Sequence, residues 1–228
     1  MRESKTGFPW TDAEIHARVI EAVQAYWQTR TGQATRQQAA GVVDTGSRSE
    51  ITGGGHLDTF SSIFCDLIRA AGFSDEEIRF RAGVELPGFY RPTKKWDVVV
   101  VRKARLCAAI ELKSHVGPSF GNNFNNRTEE AVGSSVDLRR AFQQGILGLH
   151  PPWLGWVILV EDTAHSTRPV GIKSSSFKPD PIFENTSYED RYRILCERMI
   201  LEQKYDATSL ILAPRATDGS HREPSRAL

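Results

Sequence analysis

The chain has 228 residues, of which 39% are apolar and 25% charged, with a formal net charge of +1 and three cysteines. This is the balance of an ordinary soluble globular protein, long enough to bury a real core. Cys65, Cys107 and Cys196 lie too far apart for a disulfide framework or a zinc site. No 18-residue apolar run, signal core, HExxH, GxSxG or Walker loop occurs, which sets aside membrane spans, zincins, serine hydrolases and P-loop enzymes. A cytoplasmic protein is expected. The near-zero charge announces no polyanion, but clustering rather than net charge makes an electrostatic footprint. Basic groups do gather at Arg91, Lys94 and Lys95, at Arg102, Lys103 and Arg105, and at Arg139 and Arg140.

In chain order, Thr11 and Glu14 form a capping box that opens a helix over 11–29, with Ile15, Val19, Val23 and Trp27 as its core stripe. Residues 31–55 are rich in Gly, Gln, Ser, Thr and Arg and have little to bury. They read equally as a mobile loop or as an arm that orders on a partner. A second helix spans 56–71, with Leu57, Phe60, Phe64, Leu67, Ile68 and Ala71 inward and Gly72 as its stop. Residues 78–86 read as a strand.

The stretch from Lys94 to Ser114, KKWDVVVVRKARLCAAIELKS, reads as a β-hairpin. With the turn centred near Ala104, position 97 lies opposite position 111, and period two puts Glu111 and Lys113 on one face, with Leu106, Ala108, Ile110 and Leu112 on the other. Asp97 and Glu111 thus become neighbours at the end of an apolar hairpin, an arrangement that needs a proton or a cation between them, of which a divalent metal is the economical answer. Carboxylates are hard ligands suited to Mg²⁺, and an ammonium beside them orients the attacking water or offsets transition-state charge. The next segment, SHVGPSFGNNFNNR, reads as a loop rich in turn formers, in which Asn and Arg can pair bidentately with adenine and guanine. A helix over 128–144, a buried strand over 153–161, a polar Pro-rich stretch over 162–187, a helix over 188–204 and a strand over 209–213 follow. Helices alternating with apolar strands predict an α/β fold, one domain over 1–214 with a central mixed sheet flanked by helices, and a disordered tail over 215–228.

Asp, then Glu-x-Lys on the next strand, is the constellation of the PD-(D/E)xK nucleases, except that Trp96 stands where the superfamily has Pro. From about Gly46 to Val170 the chain resembles the XhoI-like type II restriction endonucleases, in RSEITGGGHLDTF, ELPGFYRPTKKWD, AAIELKSHVGPSFGNNFNNRTEEAVGS and STRPV. The resemblance implies a restriction-endonuclease-like core and a homodimeric, Mg²⁺-dependent enzyme cutting duplex DNA at CTCGAG. Asp97, Glu111 and Lys113 become the expected catalytic residues and the two carboxylates the metal ligands. Asn122, Asn123, Asn125, Asn126, Arg127 and Ser114 are candidates for DNA contact. The superfamily often recruits an acidic residue from an early helix, for which Glu50 and Asp58 are candidates. The rival readings are a repair or junction nuclease on the same core and a DNA-binding module without catalysis.

Overall fold

Thr11 opens the first helix through the expected box. Its N–H and hydroxyl donate to the Glu14 carboxylate at 2.7 and 2.9 Å, and its hydroxyl accepts the Glu14 N–H at 3.3 Å. The computed structural model describes residues 10–39, 54–174, 176–215 and 226–227. They fall in two units, Met1–Phe80 and Arg81–Leu228.

In the first unit, α1 (Asp12–Ala39) runs past the expected end into the stretch read as a loop or arm. Residues 31–39, TGQATRQQA, are mostly good helix formers, and a helix already nucleated extends cheaply through them. Residues 40–53, with Glu50, lie outside the described residues. A 3₁₀ turn (Gly54–Leu57) leads into α2 (Asp58–Ala70), whose most buried residues are Phe60, Ser61, Ile63 and Cys65. Of the expected stripe Phe60 is buried, Leu57, Phe64, Leu67 and Ile68 are half-buried and Ala71 is exposed. Gly72, at φ +88°, stops it in the left-handed conformation, with the Phe73 N–H returning to the Ile68 carbonyl at 3.3 Å. β1 (Ile78–Phe80) ends the unit.

The strand expected over 78–86 is broken at 81–84, where Arg81 and Gly83 take positive φ. Its second part is β2 (Glu85–Pro87), which pairs antiparallel with β3 (Thr93–Lys95) as a short ribbon. β4 (Val98–Arg102) and β5 (Arg105–His115) form the expected hairpin. Lys103 and Ala104, at φ +50° and +57°, make the two-residue turn whose twist matches that of the strands. A long helix, α3 (Phe120–Gln143), leads to β6 (Trp153–Asp162). The short α4 (Ala164–Thr167), α5 (Tyr188–Leu201) and β7 (Ala207–Pro214) follow. β8 (Arg226–Ala227), inside the stretch expected to be disordered, pairs antiparallel with β7 at Leu210 and Ile211.

The sheet of this unit runs β4-β5-β6-β7-β8 and is mixed. β5, β6 and β7 are parallel and the outer pairs antiparallel. Parallel neighbours need crossovers, and α3 and α5 supply them. Leu154 to Glu161 are all buried, as a central parallel strand requires. One core joins Trp156, Ile158, Leu210 and Leu212 of the sheet to Leu138, Ala141, Tyr192 and Met199 of the two helices.

Between Val100 and Val101 the hairpin register shifts, so Val100 faces Ala108 while Val101 faces Leu106. This bulge moves Leu106 onto the face of Ala109 and Val99, in the core, instead of that of Ala108 and Ile110. The Asn-rich stretch, expected as a loop, is the start of α3. Asparagine disfavours helix by under about 1 kcal/mol each, whereas Phe120, 5% exposed, and Phe124, one turn on, pack on Tyr188 and Tyr192 with centroids 5.7 and 5.0 Å away. Aromatic burial wins over propensity.

Asp206 ties these layers together. Its carboxylate accepts the Leu154 N–H at 2.7 Å and an Arg139 N–H at 3.1 Å, and its own N–H donates to the Leu154 carbonyl at 2.9 Å. Asp206→Ala should leave a buried strand amide without its acceptor and cost about 1–3 kcal/mol. Thermal unfolding should fall by about 3–10 °C, measured by circular dichroism.

Candidate active site

Asp97, Glu111 and Lys113 come together as the hairpin arithmetic requires. The ladder sets Val98 opposite Ile110, and the Asp97 N–H donates to the Ile110 carbonyl at 3.2 Å, which brings residue 97 level with residue 111. The Asp97 carboxylate accepts the Leu112 N–H at 2.7 Å. Glu111 is 1% exposed, and its Oε1 takes two ammonium groups, Lys113 Nζ and Lys94 Nζ, each at 2.8 Å. Its Oε2 lies 3.5 Å from the Tyr205 hydroxyl, which has the Ala131 carbonyl as its nearer acceptor, at 3.0 Å.

Lys94 is the residue that hairpin arithmetic misses. It sits on β3, outside the hairpin, and its ammonium lies 4.5 Å from the Trp96 ring centroid. The residue spacing carried a signal, since Lys94 and Trp96 alternate onto one side just before Asp97. Tyr205, which follows α5, had no signal of its own.

Burial and charge divide the two carboxyls. Burial pushes the Asp97 carboxyl upward, against the Leu112 N–H and the Lys113 charge, with Glu111 adding to the rise. For Glu111 burial is again the largest single influence and acts upward, but Lys113 and Lys94 together outweigh it and hold the carboxyl below its ordinary value. Lys113 is likewise lowered by burial and raised more by Glu111, so it stays charged. The result is an ionised glutamate beside an aspartate short of positive charge. Among the described residues no group of three or more His, Cys, Asp and Glu side chains gathers as a metal cage. Mg²⁺ does not ask for one, being bound by one or two carboxylates plus waters and phosphate oxygens. An Asp–Glu pair of hard oxygens, with one member undercompensated, fits such an ion.

The other sequence candidates separate. Arg127 does not project from a loop: it lies on the inner side of α3, 18% exposed, with Nη1 2.5 Å from Glu130 Oε2. That same Oε2 stands 3.7 Å from Lys113 Nζ. Glu111, Lys113, Glu130 and Arg127 therefore make a line of alternating charge. Asn122, Asn125 and Asn126 are exposed, at a spacing that shares one helix face, while Asn123 is half-buried. Ser114 alternates onto the face of β5 opposite Lys113. Asp58 opens α2 in the first unit, and Glu50 is outside the described residues.

At the end of β5 His115, 1% exposed, meets the Tyr192 hydroxyl at 2.7 Å through Nδ1. Burial, with Arg127 nearby, pushes the imidazole down to about 4. The unfolded chain takes up this proton near about pH 6.5, which the folded protein refuses until about 4. Stability is therefore full above the unfolded value and lost as pH falls through this window, by about 3 kcal/mol from this group. Urea unfolding at about pH 7 and about pH 4 should show that loss, and His115→Gln should flatten it.

Comparison with known proteins identifies the family. Residues 36–223 match the family described as restriction endonuclease XhoI. The chain is 41% identical over 200 residues to the type II restriction enzyme BstVI of Geobacillus stearothermophilus, covering 84% of this chain and 89% of that one. It is 43% identical over 210 residues to the type II restriction enzyme XhoI of Xanthomonas vasicola, covering 89% and 84%. It is 45% identical over 158 residues to the type II restriction enzyme AbrI of Azospirillum brasilense, covering 68% and 71%. No solved structure matches. With its family matched over most of its length and its acidic pair and lysine on adjoining strands, the chain belongs to the XhoI restriction endonuclease family and is a type II restriction endonuclease, an enzyme that acts on DNA.

Proposed function

We propose that the enzyme hydrolyses duplex DNA at the palindrome CTCGAG in a Mg²⁺-dependent reaction that leaves 5′-phosphates, as a two-fold homodimer in the cytoplasm. The observation that carries the reading is the convergence of Asp97, Glu111 and Lys113 on one face of β4 and β5. The site sequence follows from the family resemblance in the stretches around Glu111 and Asn123. A palindrome asks for one subunit per strand related by a two-fold axis. No helix among the described residues is long and apolar enough to cross a membrane.

Asp97 and Glu111 would hold the ion, which when bound supplies polarisation of the scissile phosphate and a more acidic water. Lys113 keeps its proton and places an ammonium beside Glu111, where it can hold the attacking water in line or offset charge on the phosphoryl oxygens. Glu130, backed by Arg127, gives that ammonium a second counter-charge. Lys94 neutralises Glu111 in the protein alone, and its ammonium becomes free for a phosphate oxygen once another cation takes that charge. Base reading falls to Asn122, Asn125 and Asn126, which line the exposed face of the first turns of α3 immediately after the catalytic strand. Bidentate Asn pairing with adenine suits that placement. Arg127, turned toward Glu130, serves the site and not the bases.

Digesting a plasmid of known sequence with Mg²⁺ and mapping the ends tests the reading. Glu111→Gln should abolish cutting while leaving specific binding measurable, and cleavage at the wild-type rate in that variant would sink the assignment. Lys94→Ala has a separate readout. It removes one of the two cations from a buried carboxylate, so the protein alone should lose about 1–3 kcal/mol. Added Mg²⁺ should raise its melting temperature more than it raises that of the parent, because the ion then replaces a missing charge.

A further inference from the structure

The ribbon of β2 and β3 ends in a turn, Pro87-Gly88-Phe89-Tyr90-Arg91-Pro92, that the catalytic geometry does not use. One buried side chain holds it. Asp137 of α3, 3% exposed, accepts the Phe89 N–H at 2.7 Å, the Tyr90 N–H at 2.8 Å and the Arg91 Nε–H at 2.6 Å. Gly88 belongs to the same construction, since a Cβ there would stand 2.6 Å from an Asp137 oxygen and 2.8 Å from the Arg91 carbonyl. This carboxylate and this glycine fix the turn, and the turn exposes what folding ordinarily hides. Phe89 is 41% and Tyr90 69% exposed, with their rings edge to face at 4.8 Å. Cations surround them. Arg140 lies 5.2 Å from the Phe89 ring centroid, Arg91 is 44% exposed along its side chain, and Lys95 is exposed.

We infer that this turn is a DNA-contacting element, in which Phe89 and Tyr90 press against the bases flanking the cleavage position while Arg91 and Lys95 meet the phosphates. The inference rests on the reading of duplex DNA as substrate. Position on the ribbon supports it: β3 carries Lys94, whose ammonium touches Glu111. Tyr90 lies four positions before Lys94, at most about 13 Å of chain, or about four base pairs of duplex. A duplex lying on Asp97 and Glu111 thus passes within reach of the turn. Aromatic side chains bind DNA by stacking on exposed base faces or by wedging between base steps, and cations beside them hold the backbone. A rigid turn suits this role better than a flexible one, because its order is established before DNA arrives.

The test begins with a duplex containing the site mapped for the parent protein, with 2-aminopurine placed at successive flanking positions and binding followed by anisotropy in EDTA at fixed salt. Tyr90→Ala and Phe89→Ala should each weaken binding by about 5- to 100-fold, while Tyr90→Phe stays within about twofold. The 2-aminopurine signal at one flanking position should change on binding to the parent and not to Tyr90→Ala. In a separate salt titration of the same binding, Lys95→Ala should lower the salt slope by about one. Because Tyr90 is exposed, its melting temperature serves as the control for folding. Affinities within about twofold of the parent for both alanine variants would overturn the inference while leaving the nuclease reading standing. So would a loss of affinity that follows dissociation of the dimer in sedimentation, which would make the turn a subunit contact. A parent that cuts no DNA at any site would instead remove the nuclease reading, and this inference with it.

Discussion

A carboxylate taken out of water costs several kcal/mol unless its charge is met at close range, and Glu111, at 1% exposure, is such a group. Much of the second unit meets that demand. Lys113 comes from the same strand and Lys94 from the ribbon. Tyr205, from the turn before β7, reaches the other oxygen while holding α3 through the Ala131 carbonyl. Three separate segments are thus drawn to one buried oxygen pair. The ribbon, which buries little of its own beyond Val84, Leu86 and Trp96, gains a fixed place from that electrostatic contact.

Strand direction then determines what else can surround the pair. Because β5 and β6 are parallel, the chain must return along the sheet after Lys113, and it does so as α3. The helix begins five residues after β5 ends, so its first turn packs on His115 at the strand's end without any insertion. Phe120 and Phe124 anchor those turns on Tyr188 and Tyr192 of α5. Arg127 turns inward on α3 and Asn122, Asn125 and Asn126 outward, while Glu130, one turn after Asn126, lies between the two and reaches both Arg127 and Lys113.

How much of this could be read from the amino acids depends on the range of the forces involved. The hairpin was legible because period two and a turn centre are local, and they place Asp97 beside Glu111 through simple counting. The bulge at Val100 and Val101 was not, since either face of the 106–110 run is apolar enough to be buried. The asparagine stretch misled because turn propensity is a weak local preference, while the Phe120 and Phe124 spacing that overrides it pays off only against tyrosines nearly seventy residues away. Their separation of four was the available sign of a helix. Lys94 looked like one more surface lysine, because its partner is seventeen positions off on another strand. Asp137 gave no sign of its role either: among helical residues, only the fold shows which one faces a distant turn.

α3 touches both ends of this arrangement. The asparagine face lies in its first two turns, and Asp137, which holds the ribbon turn, lies fifteen residues beyond Asn122, about 22 Å along the axis. A helix of this length, packed on a sheet, behaves as a stiff rod. Its two ends therefore cannot shift independently, and the ribbon they steer also carries Lys94. The turn that presents Phe89 and Tyr90 and the exposed asparagines are in this way joined through a single helix of the second unit.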